Sequence, residues 1–138
     1  MMATGTAQKI EQLPIQNSSD VVAVRQRVRA WATELKFSLV EQTKIVTAAS
    51  ELARNTLEHG GGGLLELARV SNGTRQGIRL RFIDQGPGIA DISLALQDGY
   101  STGKGMGLGL GGSKRLMNEF NIEPTPGTGT TVTAIRWK

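Results

Sequence analysis

Three polar residues at a four-residue spacing, Glu51, Asn55 and His59, form the first group in this sequence that could carry out chemistry. Residues four apart lie on the same face of an α-helix, so the three side chains would line one helical face. A carboxylate can act as a general base, and an amide oxygen is a suitable ligand for a hard cation. The same residues are ordinary on a solvated helix flank, so the spacing alone leaves both interpretations open.

A second group follows a predicted strand, in the segment IDQGPGI at 83–89. Asp84 lies where the strand ends, and Gly86 and Gly88 leave no side chains above the following turn. A carboxylate at this place can accept a hydrogen bond from an exocyclic amine, and the glycines let a planar ring approach the backbone. A plain turn between a strand and a helix would have the same composition.

A third group is rich in glycine, with seven glycines among the fourteen residues 99–112, in a chain that has 18 glycines among 138 residues. Alternating glycines that lead into a helix expose backbone amides at the positive end of the helix dipole, which favours phosphate binding. The P-loop pattern is absent, and the segment does not follow a first strand as in a dinucleotide-binding fold. The pattern therefore favours a phosphate-binding loop, to which Lys104 would add a cation, over an idle surface loop.

A fourth group, GTGTTV at 127–132, predicts a tight turn that enters the last strand, where Thr130 would bind a ligand or cap the turn. Taken in order, the four groups resemble the N, G1, G2 and G3 boxes of the GHKL superfamily of ATPases and kinases. Four segments are similar to the switch serine/threonine kinases of bacterial stressosomes, in the anti-sigma-factor-like branch of that superfamily. They are ASELARN at 49–55, DQGPGI at 84–89, DGYST at 98–102 and GGSKRLMNEF at 111–120.

The resemblance implies an α+β fold, a two-layer α/β sandwich of the GHKL (Bergerat) type. Its sheet would be mixed but mostly antiparallel, with helices on one face, and residues 1–138 would form a single domain. The implied activity is that of a protein serine/threonine kinase that uses ATP and Mg²⁺.

The resemblance also implies roles for individual residues. Asn55 would coordinate Mg²⁺, and Glu51 would orient and deprotonate the attacking hydroxyl. Asp84 would bind the adenine amino group, with Gly88 and Thr130 beside it. Gly105, Gly107 and Gly109 would fold over the phosphates as a lid. The full set of other implied nucleotide-binding positions is Gly86, Ile89, Ser101, Thr102, Gly103, Lys104, Gly105, Met106, Gly107, Leu108 and Gly109.

The implied partners are STAS-domain proteins, an antagonist and a scaffold of a stressosome, and a PP2C-type phosphatase that the released kinase would activate by partner switching. One alternative is an anti-sigma factor kinase that binds a sigma factor and phosphorylates its antagonist. A second is an ATP hydrolase in which Glu51 activates water. A third is a nucleotide-binding module without chemistry, against which Glu51 argues, because a site that only binds a ligand needs no base.

Composition removes other classes of function. The net charge is +4, but the basic residues are scattered and few aromatic side chains are available for base stacking, so we expect no nucleic-acid partner. The absence of cysteine excludes disulfides and thiolate metal sites. No apolar run approaches the roughly 18 residues of a membrane span, and residues 1–12 lack the pattern of a secretory signal. We therefore expect a cytoplasmic protein with no membrane partner.

Hydrophobic periodicity and turn residues predict the elements that position the four groups. Predicted strands cover 7–16, with Pro14 marking a sheet edge, and 64–70, 77–83, 120–124 and 130–137. Predicted helices cover 19–36, 39–59, 91–97 and 108–120, and 98–107 is a predicted mobile loop. The turn between the second and third strands contains Asn72-Gly73.

The second helix carries the first group, and its limits are the most sharply predicted. Ser38 and Glu41 match a capping box at its start, and Gly60 would end it as the residue after the cap. The other glycines of the Gly60–Gly63 run have no evident role in the sequence. The expected buried face of this helix is Val40, Thr43, Val46, Thr47, Ser50, Ala53 and Leu57.

Overall fold

The computed structural model describes residues 6–84, 86, 109–125 and 129–138. Within them, the strands are β1 (Thr6–Ile15), β2 (Gly63–Ser71), β3 (Gln76–Asp84), β4 (Glu119–Thr125) and β5 (Gly129–Trp137). The helices are α1 (Ser18–Glu34), α2 (Leu39–Glu58) and α3 (Gly109–Leu116). The predicted helix at 91–97 and the predicted loop at 98–107 lie outside the described residues.

The strands form one sheet in the order β1-β2-β3-β5-β4, and all four pairings of the described strands are antiparallel. β1 is an edge strand, as Pro14 predicted. Apolar residues of the helices and of one sheet face form a single buried cluster, so the helices pack on that face. The predicted α+β sandwich is therefore confirmed, whereas the extent of the single domain stays a prediction.

Strand periodicity supplies the sheet's half of the core. Ile78, Leu80 and Phe82 alternate along β3 and point to the helices, where each is at most 1% exposed. Leu65 and Leu67 do the same on β2 and are fully buried. In the part of the chain that the structure describes, no helix combines the length and the apolar character needed to cross a membrane. The cytoplasmic location stays a prediction.

Local capping fixes where α1 and α2 begin. The Asn17 side chain accepts a hydrogen bond from the backbone N–H of Asp20 at 3.0 Å. At the start of α2, Ser38 Oγ accepts from the Glu41 N–H at 3.2 Å, and the Glu41 carboxylate accepts from the Ser38 N–H at 3.3 Å. The predicted capping box is therefore confirmed, and it satisfies two backbone N–H groups at the start of α2.

The predicted buried face of α2 is wrong at two positions, since Val40 is 66% exposed and Thr43 is also exposed. The other predicted residues are buried or partly buried: Val46, Thr47, Ser50, Ala53 and Leu57. α2 packs against α1, α3 and the sheet, so its buried arc is wider than one stripe and includes small residues that let the neighbouring helices approach. The buried residues are Gln42, Ile45, Ala48, Ala49, Ser50, Leu52, Ala53 and Thr56.

One predicted helix end is wrong, and another is right in position but not in backbone conformation. The helix predicted to reach Phe120 ends at Leu116, because Asn118 donates its N–H to the Ile135 carbonyl at 2.8 Å and Phe120 pairs with Ala134. The end of α2 is near the prediction, at Glu58. However, the left-handed backbone that favours glycine occurs at Gly61 (φ 72°) and Gly62 (φ 101°), and not at Gly60.

An ion-paired contact holds the edge strand β1 to α1. Arg27 Nε donates to Glu11 Oε2 at 3.0 Å, and Trp31 Nε1 donates to Glu11 Oε1 at 2.8 Å. These hydrogen bonds from Arg27 and Trp31 lower the pKa of the Glu11 carboxyl below its ordinary value. A carboxyl whose pKa is lower in the folded state stabilises the fold above its unfolded-state pKa, and this stability is lost as the pH falls through the folded-state pKa.

Replacing Glu11 by Gln should therefore lower the free energy of unfolding by about 1 kcal/mol at pH 7, because one of the two acceptor oxygens is lost. The difference between the variant and the unsubstituted chain should shrink towards zero at acidic pH, where Glu11 is protonated. Urea unfolding across this pH range measures both. Glu34→Gln is the control, since Glu34 is 73% exposed in its 3.9 Å pair with Lys9 and should change stability little. A Glu11→Gln deficit that is the same at every pH would contradict the account.

Candidate functional site

The sheet register brings three chain segments together at the end of β3. Asp84, the last residue of β3, pairs with Gly63 at the start of β2, and the preceding Ile83 pairs with Thr131 of β5. Gly60–Gly63 connects the end of α2 to β2, so the last turn of α2 lies beside the same point. Gly60, Asp84, Gly86 and Thr130 meet there, and we call these four residues the Asp84 site.

Two backbone amides hold the Asp84 carboxylate. Its Oδ1 accepts a hydrogen bond from the Gly86 N–H at 2.9 Å and another from the Thr130 N–H at 3.2 Å. The side chain is partly exposed. With Oδ1 engaged on both sides, the orientation of the carboxylate is fixed and Oδ2 keeps its acceptor capacity. The arrangement can recognise a ligand N–H donor at the edge of the sheet.

Thr130 contacts Asp84 through its backbone and not through its side-chain hydroxyl. The sequence predicts Thr130 beside Asp84, and the structure brings the two together. The hydrogen bond to Asp84, however, is donated by the Thr130 backbone amide, and the residue is only 6% exposed. The contact therefore follows from the start of β5 at Gly129 and not from the hydroxyl that drew attention to this residue.

Glycine is required at three positions around Asp84 by close approach. A Cβ on Gly60 would lie 2.5–2.6 Å from three atoms of the Asp84 side chain, and a Cβ on Gly86 would lie 2.8 Å from Gly60 Cα. A Cβ on Gly63 would overlap the Ile83 carbonyl oxygen. Part of the glycine run that had no evident role in the sequence therefore lets α2, β2 and β3 converge.

Glu51 and Asn55 lie one turn apart on α2, as predicted from their spacing. The Glu51 side chain is 15% exposed and its Oε1 accepts a hydrogen bond from Arg54 Nη1 at 2.8 Å. Asn55 is partly buried, and its backbone carbonyl accepts from the N–H groups of His59 and Gly60 at 2.9 and 3.2 Å. Among the described residues, the Asn55 carboxamide has no hydrogen-bond partner. His59 is exposed and forms the C-cap of α2.

The remaining predicted site residues divide into two groups. Gly109 begins α3, which packs beside α2. Gly88, Ile89 and residues 101–108 lie outside the described residues, so their roles stay predictions. Sequence reasoning missed Gly60, Gly63 and the ion pair of Arg54 with Glu51. The three-residue spacing of Arg54 and Glu51 was a signal for the pair, whereas the glycine requirement appears only once the strand register is known.

Comparisons with known proteins identify the family of the chain. The histidine kinase-like ATPase domain matches residues 16–136. The serine/threonine-protein kinase RsbT of Bacillus subtilis (strain 168) is 46% identical over 118 residues, which are 86% of this chain and 89% of that protein. The anti-sigma F factor of Thermoanaerobacter sp. (strain X514) is 33% identical over 111 residues, which are 76% of each chain. The anti-sigma F factor of Pasteuria penetrans is 30% identical over 125 residues, 86% of this chain and 83% of that one.

Solved structures share the fold. A crystal structure of the RsbU and RsbW domains of a Mycobacterium tuberculosis protein matches with a TM-score of 0.65 and 22% identity, and covers 95% of this chain and 33% of that longer chain. The mycobacterial sensor histidine kinase MprB matches with a TM-score of 0.57 and 15% identity, over 94% of this chain and 97% of that one. Fold and sequence similarity lead to one conclusion: the chain belongs to the histidine kinase-like ATPase family, in its branch of RsbT-type serine/threonine protein kinases.

Proposed function

We propose that this kinase uses Mg-ATP to phosphorylate a serine or threonine of a STAS-domain protein, and that the released kinase activates a PP2C-type phosphatase by partner switching. The observation that carries the nucleotide half of the proposal is the Asp84 carboxylate. Two backbone amides hold this carboxylate, and it packs against the backbone of Gly60, which follows the helix that bears Glu51 and Asn55.

The Asp84 site fits an adenine base. Oδ1 is committed to the Gly86 and Thr130 amides, so Oδ2 is the acceptor for an exocyclic amine. Gly60 and Gly86 let the chain pack against the carboxylate without an intervening side chain, which fixes where the acceptor oxygen lies. A guanine base carries an oxo group instead of an amine at the corresponding ring position. This oxygen and Oδ2 would both be hydrogen-bond acceptors, so the site favours adenine.

Asn55 fits a Mg²⁺ ligand by the chemistry of its donor. Its carboxamide has no partner among the described residues, and an amide oxygen is a hard ligand of the kind that Mg²⁺ takes. The described residues contain no cluster of three or more His, Cys, Asp or Glu that could hold a metal ion. This composition suits Mg²⁺ bound chiefly through ATP phosphates, since such sites need only one or two protein ligands. When bound, the ion neutralises charge on the phosphates.

Glu51 supplies the base. It would take the proton of the acceptor hydroxyl as the hydroxyl oxygen forms its bond to the γ-phosphorus and the bond to the leaving ADP oxygen breaks. Arg54 holds the Glu51 carboxylate at 2.8 Å and so fixes the rotamer from which it acts. By the family resemblance, Gly86, Gly88 and Ile89 would contact the nucleotide, and residues 101–109, including Lys104, would close over the phosphates.

The protein substrate and partners rest on the similarity to the kinase RsbT, which at 46% identity exceeds the 30–33% of the anti-sigma F factors. Those anti-sigma relatives support a second candidate function, in which the chain binds a sigma factor and phosphorylates its antagonist. Incubation with Mg-ATP and candidate STAS-domain proteins, followed by mass mapping of the phosphorylated residue, tests the main proposal. Recovery of a sigma factor in a pulldown, with no STAS-domain or phosphatase partner, would support the second.

Glu51→Gln should keep ATP binding and lose phosphoryl transfer by 10²–10⁴-fold, since general-base catalysis typically contributes about this much. Calorimetry measures the binding, and transfer to the protein acceptor measures the rate. Arg54→Gln is the matched control, because it removes the ion pair but keeps the carboxylate, and it should cost much less activity. Normal transfer by Glu51→Gln, or ATP hydrolysis that needs Glu51 but no protein acceptor, would contradict the kinase mechanism.

Asn55→Ala should abolish Mg²⁺-dependent transfer without unfolding the chain, because the Asn55 side chain makes no hydrogen bond among the described residues. Asn55→Asp retains an oxygen ligand and should recover part of the activity. Transfer rates titrated with Mg²⁺ measure the effect. A Mg²⁺ dependence in Asn55→Ala that equals that of the unsubstituted chain would remove the metal role.

Asp84→Asn should weaken ATP binding by at least about tenfold, since a hydrogen bond to a charged group contributes about 1.5–3 kcal/mol. The Asn oxygen can still accept from both amides, so its NH₂ group would face the adenine amine, donor against donor. Calorimetry measures the affinity. Asp20→Asn, near the start of α1, is the control for loss of one negative charge and should leave ATP affinity unchanged.

A further inference from the structure

We propose that Gly60 is a positioning residue for nucleotide-base recognition: the absence of a side chain at this position lets the Asp84 carboxylate take the orientation from which Oδ2 accepts the hydrogen bond of the base. The inference rests on the proposed function of the Asp84 site. It extends that function to Gly60, which follows the end of α2 and has no side chain with which to contact a ligand.

The three atoms nearest to a Cβ on Gly60 all belong to the side chain of Asp84. A Cβ on Gly60 would lie 2.5 Å from Cγ, 2.6 Å from Cβ and 2.6 Å from Oδ2 of Asp84, and real Cβ atoms do not approach other atoms so closely. Oδ2 is the oxygen that the two amides leave available. A methyl group on Gly60 would therefore displace the very oxygen that the base needs.

Neither the Asp84 side chain nor the Gly60 backbone can move away from this contact without losing other interactions. The Gly86 and Thr130 amides hold Oδ1 at 2.9 and 3.2 Å, so rotation of the carboxylate would break at least one of these hydrogen bonds. On the other side, Gly86 packs so closely that its own Cβ would lie 2.8 Å from Gly60 Cα and from the Gly60 carbonyl oxygen. The Gly60 N–H also donates to the Asn55 carbonyl at 3.2 Å, which ties it to the last turn of α2.

The requirement for glycine differs between Gly60 and its neighbour Gly61. Gly60 has no left-handed backbone, so its requirement is steric. Gly61 has φ 72°, and no atom of the described residues lies within 4 Å of a Cβ at this position, so its requirement is one of backbone conformation. The pair therefore provides a matched control: the same substitution, Gly to Ala, one residue apart, strains the chain for two different reasons.

A double-mutant cycle in urea unfolding tests the contact without any nucleotide. Gly60→Ala should lower the unfolding midpoint of the unsubstituted chain, and this loss should disappear in an Asp84→Gly background, where all three clashing atoms are gone. Gly61→Ala should lower the midpoint equally in both backgrounds. If Gly60→Ala alone does not fold, a folded Gly60→Ala/Asp84→Gly variant gives the same answer. An equal loss from Gly60→Ala in both backgrounds would overturn the proposal.

Nucleotide selectivity tests the function. Affinities for ATP and for purine riboside triphosphate, which lacks the exocyclic amine, are measured by calorimetry for folded variants. Gly60→Ala should reduce the ATP preference by about tenfold or more, the value of one hydrogen bond to a carboxylate, whereas Gly61→Ala should leave the ratio unchanged. An unchanged ratio in Gly60→Ala would overturn the positioning role. Equal affinity of the unsubstituted chain for both nucleotides would overturn base recognition by Asp84 and the positioning role with it, while the unfolding cycle would still report the contact.

Discussion

The close approach of the Asp84 side chain to the backbone of Gly60 is the contact on which the site depends. It joins the end of β3 to the last turn of α2 at a distance that only glycine permits. The contact places the Asp84 carboxylate, which suits a nucleotide base, beside the end of the helix that bears Glu51 and Asn55. The apolar core also packs β3 against α2, so the contact sets the fine position of the carboxylate within that arrangement.

The antiparallel sheet makes this contact possible. β3 lies between β2 and β5, so the last residue of β3 meets the first residues of both neighbouring strands. β2 begins at Gly63, the last glycine of the run that follows α2. β5 begins at Gly129, next to Thr130, whose backbone amide donates to Asp84. The core packing of Ile78, Leu80 and Phe82 holds β3 in register, and so the apolar face of the sheet fixes the position of its polar end.

Sequence reasoning succeeded where local physics decides the structure. The capping box of Ser38 and Glu41, the edge position of the strand with Pro14, and the pairing of Asp84 with Thr130 followed from residue type, spacing or family pattern. It failed where tertiary packing decides. Val40 is exposed because α2 is buried between two helices on a different arc, and the role of Gly60 depends on a residue 24 positions away. No single-sequence pattern records such an approach.

The structure of the chain bound to Mg²⁺ and a non-hydrolysable ATP analogue tests the central claim most directly. The account predicts the adenine amine within hydrogen-bond distance of Asp84 Oδ2, Oδ1 still on its two amides, and the Asn55 carboxamide oxygen on Mg²⁺. A nucleotide whose base lies away from Asp84, or a metal ion that Asn55 does not contact, would contradict it.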